Sequence, residues 1–148
     1  MQPLLERLMT TFPDAVRGVE VDTARNEITA RVAAARIVDV ARWLHDTPEA
    51  SFDHITDICS VDYPNDPERF EVVYQLLSLA HRRRIRLKAR VTEDAPQIAS
   101  VTGIWKGAEF MEREVSDLMG ITFVGHPDLR RILLPEDYEE GHPLRKDF

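Results

Sequence analysis

The chain has 148 residues, of which 43% are hydrophobic and 30% are charged, a balance typical of a globular domain and not of a collagen-like or low-complexity protein. Its 26 acidic residues outnumber its 19 basic residues, and the net charge of −7 excludes a protein whose whole surface binds nucleic acid. The lone Cys59 cannot by itself form an internal disulfide or a thiolate-ligated metal site. With no cationic leader and no apolar run near the roughly 20 residues of a membrane span, we expect an intracellular chain that does not cross a membrane.

The first third of the chain predicts a helix, a hairpin and a second helix. Leucines and other apolar residues at three- and four-residue spacing over 4–12 predict an amphipathic helix that Pro13 ends. Alternating apolar residues on both sides of the polar stretch 22–26 predict two strands joined by a turn. Helical spacing returns over 37–44, and Pro48 ends that segment.

The middle of the chain predicts three strands, over 52–61, 69–79 and 84–92. In the last strand, apolar residues alternate strictly with basic ones, which predicts one buried and one basic face. Apolar residues from Ile104 to Leu118 then form one stripe of a helix that ends at Gly120. Together these elements predict an α+β fold in which helices cover a mainly antiparallel sheet.

The periodicity ends after Phe123. Residues 124–148 are rich in charge, proline and glycine and contain a single apolar cluster, so they lack the means to build a core of their own. We therefore predict a domain at 1–123 and an extended C-terminal arm at 124–148 that docks on partner subunits.

Common catalytic patterns are absent from the sequence, including the P-loop, GxGxxG, HExxH, CxxC and GxSxG. Asp53, His54, Asp57 and Asp62 lie near Cys59, but strand alternation would place His54 on the face opposite Asp53 and Asp57. Polar residues on the solvent side of a strand explain this cluster better than catalysis, and a stand-alone enzyme that uses Asp53, His54 and Asp57 is kept as an alternative.

A basic strip runs through 82–90 without interleaved aromatic residues that could stack on bases. A solvated face or an acidic partner protein therefore explains the strip better than nucleic acid does.

The helix before Gly120 carries charges in a regular pattern. Glu109, Arg113 and Asp117 follow one another at four-residue spacing and predict a surface ladder. Glu114 falls at the edge of the predicted apolar stripe, where an acid needs a cation beside it. Two arginines that return from the arm are the candidates for that cation: Arg130 and Arg131.

The stretch EREVSDLMGITFVGHPDLRRILLP, at 112–135, resembles the signature of the C subunit of respiratory NADH:quinone oxidoreductase, the 30 kDa subunit family of complex I. The resemblance continues upstream in FDHITDICSVDYP, RFEVVYQLLSL, RIRLKARV and SVTGIWKGAEFMERE and downstream in GHPLRKDF. It covers the chain from about residue 50 to its end.

The resemblance implies an accessory subunit without a catalytic, cofactor or metal site of its own. In that family FMN, the iron–sulfur clusters and the quinone site belong to partner subunits, and the whole complex transfers electrons from NADH to quinone and pumps protons. The implied neighbours are the D and B subunits, on the cytoplasmic side of the cell membrane, where the chain would be peripheral. An alternative is the equivalent subunit of a related complex that uses ferredoxin or a deazaflavin (F420) as donor, reduces quinone or methanophenazine, or produces hydrogen.

Carried over residue by residue, the resemblance assigns subunit docking or support of the fold to four groups of residues. These are Glu112, Arg113, Glu114 and Asp117 on the helix; Gly120, Gly125, His126, Pro127 and Asp128 in the following turn; Arg130 and Arg131; and Gly141, Pro143, Leu144, Arg145, Lys146 and Asp147 near the end.

Overall fold

A computed structural model describes residues 2–127 and 141–146. The first helix, α1, spans Gln2–Thr11 and buries Leu4, Leu5 and Leu8, as its spacing predicts. It ends just before Phe12 and Pro13, because proline cannot donate a backbone hydrogen bond within a helix.

The predicted hairpin consists of β1, Val16–Asp22, and β2, Glu27–Val32, which pair antiparallel. Asn26 adopts a left-handed conformation with φ 53° in the turn between them, a conformation that asparagine tolerates better than most residues. A short 3-10 turn at Ala34–Arg36 leads into the second helix, α2, at Ile37–Asp46. The prediction of helix, hairpin and helix is confirmed.

Three longer strands follow: β3 at His54–Asp62, β4 at Phe70–Ser78 and β5 at Arg83–Val91. The five strands form one sheet in the order β1-β2-β5-β4-β3. All neighbours are antiparallel except β2 and β5, which are parallel. The sheet is therefore mixed, and the prediction of a mainly antiparallel sheet is confirmed with this one correction. Both edge strands have a register shift, between Val16 and Gly18 in β1 and between Ile55 and Asp57 in β3.

The sheet has one apolar face and one charged face. Side chains from α1, α2, α3 and all five strands pack into a single core, to which β5 contributes Ile85, Leu87, Ala89 and Val91. The opposite side of the sheet, here called the charged face, carries the basic residues that alternate with them on β5. This confirms the prediction of one buried and one basic face.

The third helix, α3, spans Ala108–Met119 and ends at Gly120, which has φ 76°. Two short strands beside it, β6 at Gln97–Ala99 and β7 at Thr122–Val124, form a separate parallel pair that the sequence pattern does not predict. Three residues are too few for a periodic signal to be visible. Within the described ranges, none of the helices is long and apolar enough to cross a membrane.

Candidate docking site

A buried acid fixes the middle of α3 to the segment that follows β6. Glu112 has no solvent exposure, and its carboxylate accepts hydrogen bonds from Ser100 Oγ at 2.6 Å and from the backbone N–H of Val101 at 2.8 Å. Burial raises the pKa of Glu112, and these two hydrogen bonds oppose that rise. The carboxyl group therefore links α3 to the segment that follows β6.

The prediction for Glu114 is wrong. Glu114 is exposed because, at 100° per residue, it lies on nearly the opposite side of α3 from Glu112. The acid that needs compensation on this helix is Glu112, and neutral hydrogen-bond donors supply that compensation in place of the expected cation. The pairing of Glu114 with Arg130 or Arg131 falls on a part of the chain outside the described residues.

A second buried pair joins the ends of β3 and β4. Arg69 donates to both carboxylate oxygens of Asp62, at 2.7 Å and 2.8 Å, and both side chains are almost fully buried. Arg69 also lies 3.0 Å from a carboxylate oxygen of Glu93. The Arg69 guanidinium holds the pKa of Asp62 below its usual value.

Residues 141–146, here called the terminal clasp, lie against the end of α3. His142 Nδ1 lies 3.1 Å from the carbonyl oxygen of Asp117, the Leu144 N–H donates to the carbonyl of Leu118 at 3.1 Å, and Arg145 Nε donates to the carbonyl of Met119 at 2.8 Å. These carbonyls belong to the last turn of the helix, where no intrahelical donor reaches them. The terminal clasp therefore caps α3, and a cation at this end also suits the helix dipole.

Gly120 leaves the space that the terminal clasp occupies. A Cβ at this position would come within 2.6 Å of Arg145 Nη2 and of the His142 ring, and the positive φ already disfavours other residues. The backbone N–H of Lys146 donates to Asp62 Oδ2 at 2.8 Å, and the Arg145 guanidinium lies 4.8 Å from the centre of the Phe70 ring. The terminal clasp thus joins α3 to the buried Asp62 pair.

The turn after β7 contacts the other end of α3. Gly125 has φ 88°, and His126 Nε2 lies 2.8 Å from the carbonyl oxygen of Glu109 in the first turn of the helix. The His126 contact therefore links this turn to the start of α3.

The predicted signature residues separate by exposure. Glu112 and Asp117 are buried; Arg113, Gly120, His126, Pro143 and Arg145 are partly buried; and Glu114, Gly125, Pro127, Gly141, Leu144 and Lys146 are exposed. The remaining four, Asp128, Arg130, Arg131 and Asp147, lie outside the described residues. The assignment of all these signature residues to docking or fold support stays a prediction. The division of the chain at residue 123 also stays a prediction.

The alternative cluster around Cys59 does not converge on one point. Asp53 Oδ1 lies 2.9 Å from His54 Nδ1, which corrects the expectation that these two side chains point apart, because Asp53 precedes β3 and does not follow its alternation. Asp57 and Cys59 are exposed, and Asp62 is held by Arg69 instead. Over residues 2–127 and 141–146, there is no group of three histidine, cysteine, aspartate or glutamate residues placed to hold a metal ion.

Sequence reasoning missed Ser100, Arg69 and His142. The roles of Ser100 and Arg69 depend on contacts that a repeating pattern does not specify, with Glu112 for Ser100 and with Asp62 and Glu93 for Arg69. His142 had a local signal, because it follows Gly141 and precedes a proline, a context that favours an irregular backbone near a helix end.

The fold and these contacts define a structural α+β domain in which buried charges hold distant parts of the chain together. A family model described as respiratory-chain NADH dehydrogenase, 30 Kd subunit, matches residues 30–148. The chain therefore belongs to this 30 kDa subunit family of NADH-quinone oxidoreductase, or complex I, and the resemblance seen in its sequence is confirmed.

Individual relatives agree with the family model. The chain is 51% identical over 144 residues to the NADH-quinone oxidoreductase C subunit of Roseiflexus sp. (strain RS-1), and the match covers 97% of this chain and 81% of the relative. It is 48% identical over 148 residues to the C subunit of the same enzyme from Methylobacterium sp. (strain 4-46), covering 100% of this chain and 67% of that relative.

Two solved structures share the fold. The trypsin-resistant fragment (1-134) of Nqo5 matches with a TM-score of 0.72 and 31% identity over 86% of this chain and 98% of the fragment. A chain of the membrane-bound sulfane sulfur reductase, an archaeal respiratory membrane complex, matches with a TM-score of 0.85 and 26% identity over 99% of this chain and 84% of that chain.

Proposed function

We propose that this chain is a non-catalytic assembly subunit in the peripheral arm of a proton-pumping NADH-quinone oxidoreductase. Its family membership supports the complex, and the terminal clasp carries the argument for the role. Gly120, Arg145 and Lys146 belong to the family signature, and their described contacts are all within this chain: with the end of α3, with Asp62 and with the Phe70 ring. Contacts of this kind hold the terminal clasp in one position on α3, and we propose that they thereby shape the surface that partner subunits contact.

The proposed partners are the D and B subunits, which the family resemblance implies as neighbours on the cytoplasmic side of the membrane. FMN, the iron–sulfur clusters and quinone would be held by partner subunits and not by this chain. Exposed signature residues at the outer side of α3 and in the terminal clasp, Glu114 and Leu144, are the proposed points of contact.

The experiment is the substitution Arg145→Ala in a tagged copy expressed in the native host. Native electrophoresis would measure how much complex assembles, and NADH:quinone activity would be normalised to that amount. We expect several-fold less assembled complex with unchanged activity per complex. The matched control is Arg31→Ala on the charged face. A fully assembled Arg145→Ala complex without activity would reject the proposal.

A second candidate is the equivalent subunit of a different respiratory membrane complex, which the likeness to the sulfane sulfur reductase chain favours. Mass spectrometry of the proteins that co-purify with the tagged chain separates the two. An NADH-oxidising flavoprotein subunit together with the B and D subunits supports the first candidate, whereas B- and D-like subunits with a different electron-input module support the second.

A further inference from the structure

The basic side chains of β5 divide into two groups with different surroundings. On the charged face, Arg86 lies 3.8 Å from Glu27, while Lys88 and Arg90 lie 3.7 Å and 3.0 Å from Glu71. Each of these cations therefore already has a carboxylate partner in the chain.

The three arginines at the start of β5 differ. Among the described residues, Arg82, Arg83 and Arg84 have no carboxylate within ion-pair distance, and Arg83 Nη1 donates only to the backbone carbonyl of Glu49, at 3.2 Å. Arg82 and Arg84 are exposed. Arg82 also has a positive φ of 51°, an uncommon conformation for a residue with a side chain.

These arginines line a groove of about 460 Å³ between the β1–β2 turn and the β4–β5 turn. Both turns lie at the same end of the sheet because β2 and β5 are parallel. We call it the arginine groove. Its apolar lining comes from Leu5, Val21 and Ile28, and Val21 is 44% exposed.

The two acids that line the arginine groove do not neutralise it. Asp22 lies 3.9 Å from Arg25, and Glu27 lies 3.8 Å from Arg86, so each acid is matched by an arginine outside the group of three. The groove thus keeps about three positive charges on a chain whose net charge is −7.

We propose that the arginine groove binds an acidic segment of a partner protein that also carries apolar side chains. Arginine forms paired hydrogen bonds with carboxylates, which suits Arg82 and Arg84, while the exposed side chain of Val21 offers an apolar contact that a bare phosphate would leave empty. In the part of the chain that the structure describes, no aromatic side chain lines the groove, so stacking on nucleic-acid bases has no platform. This inference goes beyond the proposed function, because the arginine groove is a different surface from α3 and the terminal clasp.

The test uses the full chain, isotopically labelled, and a short acetylated peptide of alternating glutamate and leucine. We expect NMR shifts at Asp22, Asn26 and the arginine group on addition of the peptide, with affinity that falls as salt increases. The double substitution Arg82→Gln and Arg84→Gln should weaken binding about tenfold. The matched control, Arg17→Gln and Arg31→Gln, removes the same charge elsewhere and should leave binding within about twofold.

Three results would overturn the proposal: equal binding of a glutamine–leucine peptide, equal weakening by both double substitutions, or binding of phosphatidylglycerol vesicles without binding of the acidic peptide. The last result would assign the groove to a membrane surface. The two proposals can fail separately, because peptide binding tests the arginine groove and assembly of the Arg145→Ala variant tests the proposed function. An Arg82→Gln and Arg84→Gln variant that assembles normally leaves the proposed function intact.

Discussion

The end of α3 and the charged face of the sheet use ionisable side chains in opposite ways. Around α3, Glu112 and the Asp62–Arg69 pair are buried and hydrogen-bonded, and Asp62 also accepts from the backbone N–H of Lys146, which is 84 residues away. On the charged face, Arg86 and Lys88 are partly exposed and pair on neighbouring strands with Glu27, which is also partly exposed, and with the buried Glu71. Removing the partner of a buried charge greatly lowers the free energy of unfolding, whereas a charge at the surface is hydrated by water when its partner is removed. We therefore expect the stability of the fold to depend more on the buried charges near the end of α3 than on the cations of the charged face.

The largest effect is expected at the buried pair. Arg69→Ala leaves Asp62 without its guanidinium in a nearly water-free position, and we expect a loss of about 3 kcal/mol in the free energy of unfolding. Urea denaturation measures this loss. Arg31→Ala, which breaks a surface pair with Glu20, is the control and should cost less than about 1 kcal/mol. Similar losses in the two variants would remove the distinction between the regions.

Gly120→Ala should cost about 2 kcal/mol, because the positive φ strains the new residue and its Cβ meets the terminal clasp. The contacts of His142 and Arg145 with the end of α3 should be lost with it. Hydrogen exchange at the backbone N–H of Leu144, which donates to Leu118, reports this directly. Protection of that N–H equal to the wild type would contradict this role for Gly120.

A smaller, pH-dependent effect is expected at Glu112. Its pKa in the folded protein is raised, so protonation favours the folded state, and the wild type loses this contribution as pH rises from the unfolded pKa through the folded one. Glu112→Gln keeps the shape and cannot ionise. The stability of the variant relative to the wild type should therefore increase with pH across this range, measured by urea denaturation at several pH values. A constant difference would show that Glu112 does not titrate there.

The smallest effect is expected on the charged face. Lys88→Gln removes a partly exposed cation at 3.7 Å from the buried Glu71, while Arg90 still holds that acid at 3.0 Å. We expect a change within about 0.5 kcal/mol. A loss as large as that of Gly120→Ala would mean that the charged face is structurally as important as the end of α3.

The sequence predicts the elements better than it predicts how they meet. The spacing of apolar residues correctly predicts α1, α2, the body of α3 and the longer strands, because period is a local property. It begins α3 too early, at Ile104, whereas the helix starts at Ala108. The parallel pairing of β2 with β5 cannot be predicted in this way, since the two strands are separated by a helix and a hairpin. Residue spacing alone points to Glu114 instead of Glu112 as the acid that needs a partner. The spacing along α3 carries no information on Ser100 and Val101, which contact Glu112 from another segment.

Candidate site residues show the same limit. The family resemblance indicates Gly120, Arg145 and Lys146, but it does not indicate that they contact Asp62 and the end of α3. Arg69 begins a predicted strand and the segment RFEVVYQLLSL of the resemblance, but nothing in the sequence marks it as buried, because an arginine at the start of a strand is common on surfaces. Its importance depends on burial, which only the folded chain provides.

The two register shifts at the edges of the sheet have a consequence for assembly. An unpaired edge strand can recruit a strand of another molecule, and this is a route to aggregation. In β1 and β3 the shifts near Gly18 and Asp57 interrupt the regular ladder of backbone groups, which makes continuous edge-to-edge pairing unfavourable. The two shifts thereby protect the chain from edge-to-edge pairing with copies of itself.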